Sequence, residues 1–269
     1  MRTTTFKSVL DRAIRRRGLD PLQGVQSSTL LAIGEYVDEH AKTAWSWSTW
    51  PEICVWQYRA IRPEWSSFTS YALNTEVFYE DAYYKCKQAN TGQTPTDTDY
   101  WDVIAPEMYL SYDDEPQIDA VLDIRTDNPR LMPDAIRIHF TEEDNRAYLL
   151  AEGAITQIWF YVRLKCPRFS AAPWSVATTY QVGDVAFYEA DGQCYAARIS
   201  TSGTVPTSNP DVWALQPMLT VIADYVVLRT AADLLREDEQ FAKADALDAK
   251  ALDALILEED RYRNKTYAL

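Results

Sequence analysis

Apolar residues recur at helical spacing at both ends of the chain and at strand spacing in between. Phe6, Val9, Leu10, Ala13 and Ile14 share one helical face behind the cap-forming residues Thr3, Thr4 and Thr5. Arg15-Arg16-Arg17 suits the last turn of that helix, where the dipole favours cations, and Gly18 is a natural stop. After the loop opened by Asp20-Pro21, Ser27-Ser28-Thr29 caps a second helix. Its stripe is Leu30, Ile33, Val37, Ala41 and Ala44. Trp45, Trp47 and Trp50 follow, and Pro51 ends the helical reading. These tryptophans are expected to plug one end of a helical core, with a ligand site as the alternative.

Residues 218–235 are apolar nearly all round, which predicts a helix buried between other elements. Residues 241–262 predict another, built almost wholly from Ala, Leu, Asp, Glu, Lys and Arg. It carries two stripes. One is Phe241, Ala244, Leu247, Ala251 and Leu255; the other is Ala246, Ala249, Leu252 and Ile256. Two stripes separated by charge predict two packing partners. One is expected within the chain, and the second stripe is read as a contact to another subunit.

The middle of the chain contains a repeat. Trp65, Tyr71, Phe78, Tyr84, Gly92, Pro95 and Trp101 are matched by Trp174, Tyr180, Phe187, Tyr195, Gly203, Pro206 and Trp213. The spacings agree except at a longer turn in the second copy (Ala190-Asp191-Gly192-Gln193) and a one-residue difference before the last Trp. Each copy predicts short strands and turns. Between them, 118–124 and 136–140 alternate, 147–150 pairs with the latter across the turn 141–145, and 155–164 is a long strand. The connections are short, which predicts antiparallel pairing. The expected class is α+β: a helical bundle from the N- and C-terminal helices, with an inserted antiparallel β-domain and two small β-modules. The expected domains are 1–62 with 217–269, 63–104, 105–172 and 173–216.

Composition narrows the chemistry. The net charge of −14 opposes broad nucleic-acid affinity, which needs a basic surface. Residues 1–44 hold seven Lys or Arg against five Asp or Glu, and 218–269 seven against eleven, so most of the negative charge lies between. Cys54, Cys86, Cys166 and Cys194 form no Cys-x-x-Cys, and neither His40 nor His139 stands at ligand spacing. Free thiols, no metal site and no cofactor are expected. His40, in a helix, and His139, in a strand, are read as structural. Asp113-Asp114-Glu115 and Glu142-Glu143-Asp144 read as a solvated loop and a hairpin turn; a cation site or acid/base pair at the first is the alternative. No nucleophile elbow, phosphate loop or dinucleotide fingerprint is present, and no enzyme is predicted. The start of the chain has no apolar run of signal length and no segment reaches the length of a membrane span, so synthesis in a reducing cytoplasm is expected.

The second repeat, with Tyr180-Gln-Val-Gly183-Asp184-Val-Ala-Phe187, resembles the small chitin-binding modules attached to chitinases; the first departs at Asn74-Thr75-Glu76. That resemblance implies sugar stacking by aromatic residues, with Trp65, Trp101, Trp174, Tyr195 and Trp213 as candidates and a host glycan as ligand. The leading expectation for the modules is a structural or docking role, because a module of about forty residues needs its Trp and Tyr to have a core, and sugar binding is the alternative. The terminal segments resemble something else. The two N-terminal helices ending in Trp45-Ser-Trp47-Ser-Thr-Trp50-Pro-Glu, and the stretch from Ala231 through Ala246, are similar to the head-to-tail adaptors of tailed bacteriophages. This implies a structural protein of the virion neck, made in the host cytoplasm and not bound to a membrane. It would form a ring, usually of twelve subunits, beneath the portal protein. The ring would continue the DNA channel without binding DNA specifically and would carry the tail or tail-terminator protein. Ala246, Ala249, Leu252 and Ile256 are the expected subunit contact, and Tyr262, Tyr267 and Leu269, around a terminal arm 264–269, the expected portal contact.

Overall fold

The computed structural model describes residues 2–20, 27–60, 62–104, 109–112, 117–150 and 157–266. The chain is α+β, with four described helices and several small antiparallel sheets. It divides into two compact units, Met1–Trp50 with Cys166–Leu269, and Pro51–Lys165. The first unit therefore takes in the second repeat with the helices, and the second unit takes in the first repeat with the inserted β-domain.

In the first unit, α1 (Phe6–Arg17) is capped by Thr5, whose side-chain oxygen accepts from the Ser8 amide. It closes at Gly18 in the left-handed region (φ 94°), with the Gly18 amide on Arg15 O and the Leu19 amide on Ile14 O. α2 is Ser27–Trp47, α3 Thr220–Glu237 and α4 Phe241–Thr266. α3 packs against α1, α2 and α4. Its buried residues include Ile222, Val226, Val227, Leu234 and Leu235, so it is enclosed on most of its circumference. Strand Thr3–Thr4 pairs with Met218–Leu219, which ties the chain start to the beginning of α3. At the other end, Arg17 donates two hydrogen bonds of 2.7 Å to Asp238. Trp45 and Trp50 are buried as expected, but Trp47 is 43% exposed. Its indole N–H donates to Glu259 of α4, and Trp50 packs edge-on to Tyr262.

The second repeat is fastened to this unit. Phe6 lies against Phe169 (6.0 Å between centroids) and Phe187 (5.5 Å). Asp38, buried on α2, accepts from the Phe169 amide at 2.5 Å, the Ser170 amide at 3.1 Å and the Ser170 hydroxyl. The longer turn of this copy has a local purpose. Its Gly192 carbonyl accepts from the Lys7 amide at 2.9 Å, and a Cβ on Gly192 would fall 2.5 Å from Lys7 Cβ.

Both repeats have one architecture. In each, a two-stranded pair (Ser70–Tyr71 with Asn90–Thr91; Thr179–Tyr180 with Thr201–Ser202) accompanies a three-stranded sheet. That sheet is Glu76–Tyr79, Ala82–Cys86 and Trp101–Ile104 in the first copy, and Val185–Tyr188, Gln193–Ala197 and Trp213–Gln216 in the second. Asn74 (φ 68°) occupies the left-handed position held by Gly183 (φ 88°), and each donates its amide to the matching carbonyl, Cys86 O or Ala197 O. Asn tolerates that conformation better than most side chains, so the first copy keeps the turn without the glycine.

In the second unit, the central sheet has the order Cys54–Ala60, Gln157–Leu164, Ile118–Arg125. Strand Cys54–Ala60 corrects the expectation that the helical domain extends to residue 62. A second sheet joins His139–Glu143, Arg146–Leu150 and Tyr109–Ser111. The turn sits at Asp144 and Asn145, both at positive φ, as a tight hairpin requires, and Glu142 and Glu143 lie in the strand. Ile118, Val121, Ile124, Leu110, Ile158, Phe160 and Val162 belong to the core of this unit. The acidic run 113–115 lies outside the described residues, as does the start of the strand expected at 155.

Two outcomes are expected. Phe6→Ala lowers stability by about 3–5 kcal/mol because it empties a core position, whereas Phe68→Ala, at a residue 94% exposed, changes it by less than about 0.5 kcal/mol; urea unfolding of the two variants compares them. The Arg17 hydrogen bonds hold the Asp238 carboxyl below its ordinary pKa, against weaker desolvation. A depressed carboxylate contributes stability above its unfolded pKa and loses it as pH falls through the folded value. The stability difference between parent and Asp238→Asn should be flat above about pH 5 and shrink below about pH 4, read from thermal melts across that range.

Candidate functional site

The aromatic residues of the repeats are mostly committed to folding. Trp101 is 1% exposed and Trp213 2%. Their indole N–H groups donate to Gln93 O and Thr204 O, and their rings meet Tyr71 and Tyr180 edge-on at 5.3 and 5.1 Å. This corrects their candidacy as sugar platforms, since a ring enclosed in a module core has no face to offer. A module of about forty residues needs those rings to have a core at all. Trp65 and Trp174 are half-buried and stand edge-on to Tyr79 and Tyr188. Tyr195 is half-buried, and its hydroxyl donates to Asp191 at 2.5 Å; burial and that bond both raise its pKa. Of the five candidates, Trp101 and Trp213 are thus enclosed in their modules, while Trp65, Trp174 and Tyr195 are half-buried.

The histidines are far from each other in role. His40 is buried, with Nε2 2.5 Å from Asp233 Oδ2 of α3, and His139 is exposed. Burial pushes the Asp233 pKa up, but the hydrogen bond and charge of His40, the Arg236 hydrogen bond and the Arg229 charge together hold it below the ordinary range. Burial pushes the Cys54 thiol up to about 11 and raises that of Cys194 further. Neither is a thiolate near neutral pH, so neither is an activated nucleophile. Among the described residues no group of three or more His, Cys, Asp or Glu is placed to hold a metal ion, and no helix is long and apolar enough to cross a membrane.

The feature with the most unspent surface is α4. Its inner face meets α3 through Ala244, Leu247, Ala251 and Leu255; Ala244, Ala251 and Leu255 are at most 1% exposed. Polar groups reinforce that face. Arg229 pairs with Asp248 at 2.8 Å, and Arg236 reaches Asp233 at 2.9 Å, Asp245 at 3.3 Å and also Asp248. The Asp248 hydrogen bond is the largest cause of the raised Arg236 pKa. The opposite face is open. Ala246 and Ala249 are exposed, as are Leu252 (44%) and Ile256 (41%), with Leu257 beside them at 52%. Phe241, expected on the inner stripe, is 58% exposed because it opens the helix ahead of the packed turns. Tyr262 is half-buried against Trp50 and is thereby occupied within its own unit. α4 continues through Thr266, where an arm had been expected from 264; Tyr267 and Leu269 lie outside the described residues.

Sequence reading missed a second aromatic group, half-buried apart from the exposed Tyr58. On the outer side of the central sheet in the second unit, Trp56 stacks on Tyr161 (5.0 Å, 26°) and Tyr58 lies against Trp159 (5.7 Å) as cross-strand pairs. The signal was present as aromatic residues at alternate positions in 54–60.

No protein-family model, curated protein or solved structure matches the chain.

The two faces of α4 should separate in the isolated chain. Leu255→Ala is expected to cost about 2–5 kcal/mol, and Leu252→Ala under about 1 kcal/mol. Denaturant midpoints of the two variants measure the contrast.

Proposed function

We propose that this protein is a structural connector of a tailed-phage neck, a head-to-tail adaptor that forms a ring under the portal and carries the tail. The observation that supports this reading best is the two-sided α4. Its inner stripe is consumed by α3, while Ala246, Ala249, Leu252 and Ile256 stand in water. A contiguous apolar strip on a helix that already has its intramolecular partner is suited to association. The helices of the first unit would close as a bundle core. The sequence resemblance at both termini supplies the setting, and the chemistry accords with it. His40 is held by Asp233 and the Cys194 thiol by the Phe169 carbonyl, and a net charge of −14 suits a conduit whose walls must not retain DNA.

Immunogold labelling of intact virions tests the location. Gold is expected at the head–tail junction, and gold confined to fibres or to the capsid shell overturns the proposal. Ala249→Asp tests the surface. A buried charge without a partner opposes association but costs an exposed helical position little. Tailless heads should accumulate in electron micrographs while the purified variant keeps the parent's melting temperature.

A further inference from the structure

A ring requires that the strip on α4 meet a different surface of the neighbouring copy, because only a head-to-tail contact repeats around an axis. The first unit carries one surface that complements it. At the end of α1, the Gly18 close leaves Leu19 53% exposed, where the residue after such a glycine often folds back onto its helix. Arg15 and Arg16 flank it, both exposed. Their neighbours in sequence are engaged, Arg12 with Asp224 and Arg17 with Asp238. Neither Arg15 nor Arg16 makes an ion pair among the described residues. On α4, Leu252 and Ile256 are bordered by Asp253 and Asp260, exposed and likewise without an ion pair among the described residues. One patch is apolar with a basic border and the other apolar with an acidic border.

These patches cannot meet within one chain. Arg17 anchors the end of α1 at Asp238, just ahead of α4. Leu252 through Asp260 lies about 17–28 Å further along that helix at 1.5 Å per residue. α1 and α4 both pack on α3 and not extensively on each other.

We infer that the occupant of the α4 strip is a second copy of this chain, which presents Leu19 between Arg15 and Arg16 to Leu252 and Ile256 between Asp253 and Asp260. This rests on the reading of the chain as a ring-forming connector and specifies its subunit contact. Apolar matter fills the centre of the contact and opposite charges select its register.

Cysteine pairs test it in the full-length protein, with the parent as control for its own four thiols. Under mild oxidation at high concentration, Leu19→Cys combined with Ile256→Cys should give a ladder of cross-linked dimers, trimers and larger species. Ile256→Cys alone should give none. A cross-linked dimer from Ile256→Cys alone means α4 pairs with α4 about a two-fold axis, and overturns the inference. No ladder from the double variant, in solution or in purified phage particles, overturns it too. Charge exchange gives a second readout. Arg15→Glu with Arg16→Glu, and separately Asp253→Lys with Asp260→Lys, should each weaken self-association by roughly tenfold or more, and combining the four should restore it. Sedimentation velocity follows all three. Restoration absent from the fourfold variant counts against the pairing. A ladder in a protein that immunogold places away from the neck would keep the contact and remove the connector, so the two ideas fail separately.

Discussion

α3 is buried on most of its circumference, with Asp224 among the few residues it leaves exposed. With Ile222, Val226, Val227, Leu234 and Leu235 all buried, it must be surrounded, and its own length of chain cannot surround it. α4 covers one side because it follows directly. The rest must come from the other end of the sequence, which α1 and α2 provide. The pairing of Thr3–Thr4 with Met218–Leu219 records the same demand in the backbone: the first residues return to where α3 begins. Everything between α2 and α3 is then an excursion that leaves the helices and comes back. Such an arrangement tolerates large inserts, since the entropy of closing a long loop grows only slowly with its length.

The repeats show what surroundings do to one module. Both copies bury the same Trp–Tyr pair and make the same indole and phenol hydrogen bonds. They differ where they meet other elements. The second copy spends its longer turn and Phe187 on α1. At the matching place in the first copy, Phe78 lies against Tyr83, and Arg62 sits over the Tyr83 ring. The shared features are those a module of this size needs to fold, so they say little about a ligand. The differences are where individual roles would lie.

What sequence revealed follows from which interactions leave a local period. The stripes of α1, α2 and α4 were legible because each helix has one fixed inward face, and the repeat was legible because its aromatic spacing is rigid. Strand Cys54–Ala60 was not. Its apolar rings, Trp56 and Tyr58, pair on the outer side of the sheet with Tyr161 and Trp159, while Val55, on the other parity, packs against the core. The large rings thus mark the face away from the core, and Pro51 signalled only the end of a helix. The partners of Asp38, Asp233 and Tyr262 were illegible for another reason. They lie more than a hundred residues away, at Ser170, His40 and Trp50, and no local pattern encodes them. For Trp101 and Trp213 the resemblance offered sugar stacking and the arithmetic of a small core offered burial, and the structure has them buried.

The candidate site was legible in part, since the second stripe of α4 stands out by spacing alone. The structure adds that this stripe stays exposed while the inner stripe is buried. Leu255 and Leu252 are three residues apart on one helix, yet one is 1% exposed and the other 44%. Helical propensity does not account for the difference, because both are leucine. Solubility does not account for Leu252 or Ile256 either, since a polar residue would serve better there. The surrounding composition adds a constraint: Ala246 and Ala249 are small enough to let another backbone approach, and Asp253 and Asp260 keep the strip from being uniformly greasy. A face that is apolar at its centre, small at one end and charged at its border has the composition of an association surface whose subunits must remain soluble before they meet. Folding accounts for the inner face of α4 and does not account for the apolar residues of its outer face.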